Sequence, residues 1–300
     1  MSDWILSIQG TEAGHRVALA LALLAALLHA IFGALQKGRH DPWLTRGAID
    51  IWIFVLSAPV AFFFVPWPEG SQWLLILGSL VIHFFYKIGM ALAYSRAAFT
   101  VVYPVVRGTG PLFTVIGAWF IFGETFTPTQ WFGVALLVGA IFGLAAYNLT
   151  HIEVDRGTLV PALWLAFATG ALVALYTTYD AYGIRATPDP FTFLAWFFFI
   201  TALDFVVLGP LLWLRDPERP ALAPLLRRGL VGALVAFGSF GSVMLATRLD
   251  KVGEAAVLRE TSTVFAAIIG WVVLKEAVGP RRLALMAAIA AGAVIVEFGG

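Results

Sequence analysis

Two arginines occupy equivalent positions of an internal repeat, and both lie within apolar segments. Arg107 and Arg259 are 152 residues apart. The same offset pairs further residues of the two halves, namely Gly89 with Gly241, Thr109 with Thr261, Glu124 with Glu276 and Pro128 with Pro280. A charge near the centre of a bilayer costs about 3 kcal/mol on insertion scales, so it needs a carboxylate, a polar cavity or a route to the interface. Because a guanidinium group matches carboxylate and phosphate in geometry, each arginine is a candidate anion-binding residue.

Lys87 is a third cation within an apolar segment. A tight hairpin between the third and fourth segments brings Lys87 to nearly the depth of Arg107. Two cations facing one another at that depth would suit a carboxylate, phosphate or phosphonate group. The alternative is that both cations are structural and are neutralised by acids such as Asp204 or Glu260.

Further polar residues complete the predicted site. Glu260 follows Arg259 directly, and it would bind the ammonium group of a zwitterion, carry a proton or neutralise Lys87. We expect additional substrate contacts from His83, Tyr86, Tyr103, Tyr176 and Tyr179, and charge neutralisation or ion coupling from His29, Asp180, Asp204 and Glu254. Asp180 is the expected partner of Arg259. For the tyrosines the alternative role is anchoring at the membrane interface, and for the histidines it is a hydrogen-bonded place inside the bundle.

Helix breakers surround Arg107. Pro104, Gly108, Gly110 and Pro111 lie within four residues of it. This density of breakers predicts a kink or a discontinuous helix at Arg107, unless the prolines only bend the helix to fit its neighbours. Unwound backbone at membrane depth is tolerated only around a cavity or inside protein.

The composition is that of a membrane protein. Hydrophobic residues make up 60% of the chain and charged residues 12%, and the mean hydropathy is +0.89. Apolar runs of about 20 residues, the length that crosses a hydrocarbon core, recur along the whole chain. The sequence therefore predicts an all-α integral membrane protein with ten transmembrane helices, at approximately 17–35, 48–65, 73–95, 100–122, 128–147, 159–183, 191–214, 229–247, 255–274 and 282–298.

The repeat and the helix number together predict the topology. Five helices per half is an odd number, so a second copy joined to the first enters the bilayer with the opposite orientation. The prediction is two inverted five-helix repeats, residues 15–147 and 158–298, with a linker at 148–157.

Basic residues predict which face is cytoplasmic. Loops on the face carrying the N-terminus hold Arg16, Arg185, Arg248 and Lys251, whereas the other face holds twelve lysines and arginines. Both termini are therefore predicted to lie outside.

Several classes of function fit the sequence poorly. The chain has no cysteine, which excludes disulfides and thiolate metal sites, and its basic residues form no patch for nucleic acid. A membrane-embedded enzyme needs a nucleophile beside a base, or metal ligands, at one depth, and no such pattern occurs within a predicted helix. A channel is the other alternative, but inverted repeats favour alternating access. We expect no cofactor and no metal, a small-molecule substrate, contact with membrane lipid, H+ as an optional coupling ion, and a functional monomer.

The passage from Pro104 to Pro111, followed by Gly123-Glu124, Pro128 and Gly133, resembles the drug/metabolite transporter superfamily. Lys275-Glu276 and Pro280 form the matching passage of the second half. The resemblance, to the ten-helix branch with paired EamA-type halves, covers nearly the whole chain. It implies two inverted bundles around a central cavity, alternating access, and amino acids, other metabolites or drugs as substrates, often exported. Members of this superfamily are commonly drawn with both termini inside, opposite to the orientation predicted above.

The residues and the resemblance together predict a secondary active transporter of a bacterial inner membrane. Its substrate would be a small anionic or zwitterionic metabolite, such as an amino acid or a phosphonate. Arg107 is the residue expected to bind the acidic group.

Overall fold

The computed structural model describes residues 2–36, 41–94, 96, 99–149, 156–272 and 279–300. Every secondary-structure element in these ranges is a helix. They are α1 (Ser2–Ile8), α2 (Glu12–Gln36), α3 (Pro42–Pro59), a π-helical turn (Val60–Phe64), α4 (Gln72–Tyr94), α5 (Phe99–Phe122), α6 (Pro128–Leu149), α7 (Arg156–Ala186), α8 (Pro190–Thr201), α9 (Leu203–Arg215), α10 (Leu222–Leu249), α11 (Val252–Arg259), α12 (Ser262–Val272) and α13 (Pro280–Phe298).

The prediction of an all-α integral membrane protein is confirmed. Within the described residues, eight helical segments are long and apolar enough to cross a membrane, and they coincide with the first eight predicted spans. The ninth predicted span corresponds to α11 and α12, and the tenth to α13, so the number ten stays a prediction. Large apolar side chains such as Leu74, Phe120 and Trp164 are exposed, which suits a surface covered by lipid tails.

The second helix of each half begins with an aspartate cap followed by proline. Asp41 accepts hydrogen bonds from the backbone N–H groups of Trp43 and Leu44 at 2.7 and 3.2 Å, at the start of α3. Asp189 accepts one from the N–H of Phe191 at 3.0 Å, at the start of α8. The carboxylate satisfies donors that lack a partner within the helix, and proline has no N–H to satisfy.

Helix α5 is continuous through Arg107, although Pro104 and Pro111 lie within it. The predicted discontinuity at Arg107 is therefore wrong. The surrounding helices bury this stretch, so tertiary packing outweighs the propensity of the breakers.

The helix break occurs in the second half instead, between α11 and α12. Here the N–H of Thr261 donates to the carbonyl of Leu258 at 3.1 Å, and the N–H of Thr263 donates to the carbonyl of Glu260, also at 3.1 Å. The Thr261 hydroxyl donates to the same Leu258 carbonyl at 2.7 Å. At this break, backbone bonds to the carbonyl three residues earlier replace the bonds to the fourth residue of a regular α-helix, in a segment, 257–263, without proline or glycine.

Packing of the helices follows the internal repeat. Helix α2 packs along α10, and its counterpart α7 packs along α4, the counterpart of α10. Helix α5 packs on α7, as α11 and α12 pack on α2. These pairs are exchanged by the 152-residue offset, which supports two related halves with interleaved helices. The domain boundaries stay a prediction, and residues 150–155 of the predicted linker lie outside the described ranges.

The fifth helices of the two halves, α6 and α13, meet at two glycines. A Cβ atom on Gly133 would lie 2.8 Å from the carbonyl oxygen of Gly292, and one on Gly292 would lie 2.7 Å from that of Gly133. Both distances are too short for a non-bonded contact between a carbon and an oxygen atom. Small residues at this crossing therefore permit the close approach of the backbones.

We expect Gly292→Ala to lower the melting temperature of the detergent-solubilised protein, because α6 and α13 must move apart. Overpacking of this kind costs about 1–3 kcal/mol. Gly139→Ala in α6 is the control, since no atom lies within 4 Å of its added Cβ. Equal melting temperatures for the two variants would contradict the close crossing.

Candidate functional site

Arg107 is buried where the first half meets the broken helix of the second. Its Nε lies 2.7 Å from Oε2 of Glu260, and its Nη2 donates to the hydroxyl of Ser262 at 2.9 Å. Glu260 is 0% exposed. The break between α11 and α12 directs the side chains of Glu260 and Ser262 toward α5. Glu260 therefore neutralises Arg107, and the expectation that it would neutralise Lys87 is wrong.

Lys87 belongs to a different cluster. Its Nζ donates to Oδ2 of Asp50 and Oδ1 of Asp204, both at 2.8 Å, and to the carbonyl of Thr201 at 2.7 Å. The predicted pairing of Lys87 with Asp204 is thus confirmed as a contact. Lys87 and Arg107 do not form the expected facing pair. Lys87 points toward α3 and α9, and it shares no partner with Arg107, which contacts Glu260 and Ser262.

Arg46 completes this second cluster. Its Nη2 lies 2.7 Å from Oδ1 of Asp50, one helical turn further along α3. Two cations and two carboxylates therefore alternate through Arg46, Asp50, Lys87 and Asp204, so their formal charges cancel. Sequence reasoning missed Asp50, although an acid four residues after an arginine in an apolar run signals a buried pair.

Arg259 differs from Arg107 in that its side chain has no partner among the residues that the structure describes. It is 4% exposed, and within the described residues its guanidinium forms neither a hydrogen bond nor an ion pair; its buried Nε in particular has no hydrogen-bond partner. The side chain lines a cavity between α7, α10 and α11, whose other walls are Tyr176, Thr177, Asp180, Phe240, Val243, Met244 and Thr247. An unpaired guanidinium at a cavity is the arrangement that attracts an anion.

Four predicted site residues meet at or beside this cavity. Oδ2 of Asp180 lies 2.7 Å from Nε2 of His83, and its Oδ1 accepts a hydrogen bond from Ser79 at 2.7 Å. The ring of His83 stacks at 4.5 Å on that of Tyr176, which is 5.0 Å from the ring of Tyr86. His83 is thus a hydrogen-bonded interior residue, as its alternative role predicted. Asp180 shares the cavity with Arg259 but bonds to α4 instead of pairing with it.

Other predicted residues lie away from the cavity or at its edge. The hydroxyl of Tyr179 donates to the carbonyl of Leu74 at 3.3 Å on the outer side of α4, so its predicted substrate contact is not supported. Glu254 binds Gln130 and Lys251 and takes no part in neutralising Arg259. His29 packs 6.4 Å from Phe240, a wall of the cavity. The side chain of Tyr103 lies outside the described side chains.

Arg248 is buried, although the sequence places it in a loop. Its Nη1 donates to the carbonyls of Ile184 and Arg185, both at 2.6 Å. These carbonyls belong to the last turn of α7, where they lack partners within the helix. Arg248 therefore caps α7 and does not count among the loop charges used to predict orientation.

The geometry defines what this region can bind. The cavity has room for about one water molecule, with a volume of about 10 Å³, whereas pockets for small molecules hold roughly 300–1,000 Å³. Admission of a metabolite therefore requires movement of α7, α10 or α11. The lining already includes a cation, Arg259, and a carboxylate, Asp180, together with the rings of Tyr176 and Phe240.

Comparison with known proteins agrees with this architecture. Residues 160–298, in the second half of the chain, match the model of the EamA-like transporter family, which confirms the resemblance to the drug/metabolite transporter superfamily. No curated protein matches the chain. The crystal structure of another protein, with 17% identity, superposes with a TM-score of 0.73 over 94% of this chain and 96% of its own. At that identity the likeness concerns the fold alone.

The family match supports a role as a multi-pass membrane transporter in general. Residues Lys275 and Glu276, on which part of the resemblance rests, lie outside the described ranges.

We expect Glu260→Gln to destabilise the protein strongly, since it leaves the buried Arg107 without its carboxylate. Breaking a buried pair by removing one partner costs about 3–5 kcal/mol. The double variant Arg107→Gln/Glu260→Gln should recover part of the loss, which melting temperatures of the two single variants and the double variant would measure. Additive losses would contradict a direct ion pair.

Proposed function

We propose that the protein is a secondary active transporter that moves a small anionic or zwitterionic metabolite by alternating access. The observation that carries this proposal is Arg259: a buried guanidinium without a described partner, at a cavity inside a membrane bundle. A buried cation of this kind is costly, and an anionic substrate group would supply the missing charge. In this proposal Arg259 is the primary anion-binding residue, and Arg107 supports it. The sequence alone predicts the reverse assignment, with Arg107 binding the acidic group.

Asp180 favours a zwitterion over a simple anion. Its carboxylate faces the same cavity as Arg259 and is held in place by Ser79 and His83. A substrate with both a carboxylate and an ammonium group, such as an amino acid, would satisfy Arg259 and Asp180 together. Tyr176 and Phe240 would contact its apolar part.

The pair formed by Arg107 and Glu260 supports alternating access. It joins a helix of the first half to the break in the helix that carries Arg259. A substrate bound to Arg259 sits directly beside this break, so its binding would be coupled to the contact between the halves. Glu260, whose Oε1 has no hydrogen-bond partner in the described residues, is the group we assign to H+ coupling. A bacterial inner membrane, both termini outside, and a monomer are further parts of this proposal.

We expect Arg259→Gln to weaken substrate binding strongly while the protein still folds. A thermal-shift screen of the purified protein against amino acids, phosphonates, sugar phosphates and lipophilic cations would first identify the ligand. Loss of a charge-assisted contact costs about 1.5–3 kcal/mol, or roughly 10- to 100-fold in affinity, and Arg259→Lys should retain part of it. Arg96→Gln, at an exposed arginine, is the matched control. A lipophilic cation as the best ligand, or unchanged affinity in Arg259→Gln, would contradict the proposal.

We expect Asp180→Asn to weaken binding of zwitterionic substrates and to leave anions without an ammonium group unaffected. The reason is that asparagine keeps the hydrogen bonds but removes the charge that attracts ammonium. Binding of an amino acid and of its deaminated analogue to both proteins would measure the difference. An equal loss for the two ligands would assign Asp180 to structure alone. Accelerated counterflow in proteoliposomes would separate a carrier from a channel.

A further inference from the structure

A second cavity, at the face of the bundle that carries the N-terminus, is lined by acidic side chains. It lies between α2, the start of α11 and the end of α13, and its walls include Asp250, Glu254 and Glu297. The ligand atoms of His15, Asp250 and Glu254 lie within 4.8 Å of one another. Nε2 of His15 also lies 3.3 Å from Oε1 of Glu297. Three carboxylates therefore line one cavity, and the imidazole of His15 lies beside two of them.

Glu297 is the residue that points to a ligand. Its side chain is 3% exposed, and within the described residues its carboxylate accepts no hydrogen bond, with Oε1 buried. A buried carboxylate without donors is unfavourable unless a cation lies beside it. Lys251 also lines this cavity, but its ammonium group is bound to Glu254 at 2.8 Å. The three carboxylates thus exceed the lysine by two negative charges.

His15 has the orientation of a metal ligand. Its Nδ1 is hydrogen-bonded to Oδ2 of Asp250, which leaves Nε2 directed at Glu297. A histidine that binds a metal through one nitrogen characteristically donates its other N–H to a carboxylate. The 3.3 Å between Nε2 and Oε1 is long for a hydrogen bond, but it matches the roughly 3.3 Å between two ligands of a tetrahedral ion with bonds of about 2.0–2.1 Å.

Glu254 can contribute a third ligand without losing its present contacts. Its Oε1 accepts hydrogen bonds from Gln130 at 2.7 Å and from Lys251 at 2.8 Å. Its Oε2 accepts none within the described residues. The contact with Gln130 at the start of α6 holds the carboxylate in place at the cavity wall.

We propose that His15 Nε2, Glu254 and Glu297 bind a divalent metal ion, with Asp250 orienting the imidazole. Imidazole and carboxylate ligands together suit Zn²⁺, Co²⁺ or Mn²⁺. His15 belongs to the first predicted repeat and the carboxylates to the second, so a bound ion ties the two halves together at this face. The sequence predicts no metal site, because His15, Glu254 and Glu297 come from three distant segments and form no local motif.

The test uses the full-length purified protein after treatment with a chelator. Titration with Co²⁺ should produce the visible absorption of a four-coordinate site with one ion per chain, and Zn²⁺ should displace it. Glu297→Gln and His15→Ala should each weaken Co²⁺ binding by at least about tenfold. Glu12→Gln is the matched control, because this exposed carboxylate lies one turn before His15 on α2 and pairs with Arg16.

Glu297→Gln is nearly isosteric, so it decides the question if His15→Ala does not fold. No Co²⁺ absorption at millimolar metal, or the same affinity in Glu297→Gln as in the unchanged protein, would overturn the proposal. So would equal weakening by Glu12→Gln, since it would indicate general attraction to surface carboxylates. Substrate binding at Arg259 is measured in a separate experiment. The outcome of the metal titration therefore neither supports nor contradicts the proposed transport function.

Discussion

Removing a charge from water is the constraint on which the rest of this structure depends. In a bilayer, apolar helices pack on one another without a strong hydrophobic force between them, so small residues and polar contacts determine which helices meet and at what height. Lys87 joins α4 to α3 and α9 through Asp50 and Asp204. Arg107 joins α5 to the turn after α11 through Glu260. Each pair connects helices far apart in sequence, and a shift of one helix by a single turn would leave a cation and a carboxylate buried apart.

The fold was predictable because its signal is spread over whole segments. A run of about 20 apolar residues forms a helix in a bilayer whatever its neighbours are, since the backbone has no other way to satisfy its hydrogen bonds. The interruption of the ninth span was not predictable by the usual indicators. Pro104 and Pro111 predicted a break in α5, which is continuous. The break lies instead at Thr261 and Thr263, whose hydroxyls donate to backbone carbonyls.

The site was predictable only in part, because residue type indicates that a charge needs a partner but not which partner it has. Depth alone placed Lys87 with Arg107, yet side chains on facing helices can point to opposite sides of a hairpin. The correct partners depend on rotation about the helix axis, at 100° per residue, and an error of one residue exchanges them. His83 and Tyr86 share a face of α4 because they are three positions apart, whereas their contacts with Tyr176 depend on the packing of α7 against α4. His15 and Glu297 were not found, since they lie at opposite ends of the chain.

The different states of the two arginines follow from the repeat itself. Glu260 and Ser262 hold Arg107, and the residues 152 positions before them are Gly108 and Gly110. If the halves exchange their arrangements during transport, Arg259 comes to face Gly108 and Gly110, which are equivalent to the partners of Arg107. Neither glycine carries a carboxylate. The first half therefore has no acid to offer Arg259 in the equivalent place. Both copies of the repeat keep the arginine, but within the described residues only Arg107 has a carboxylate partner, and in the proposed function the substrate supplies the anion at Arg259.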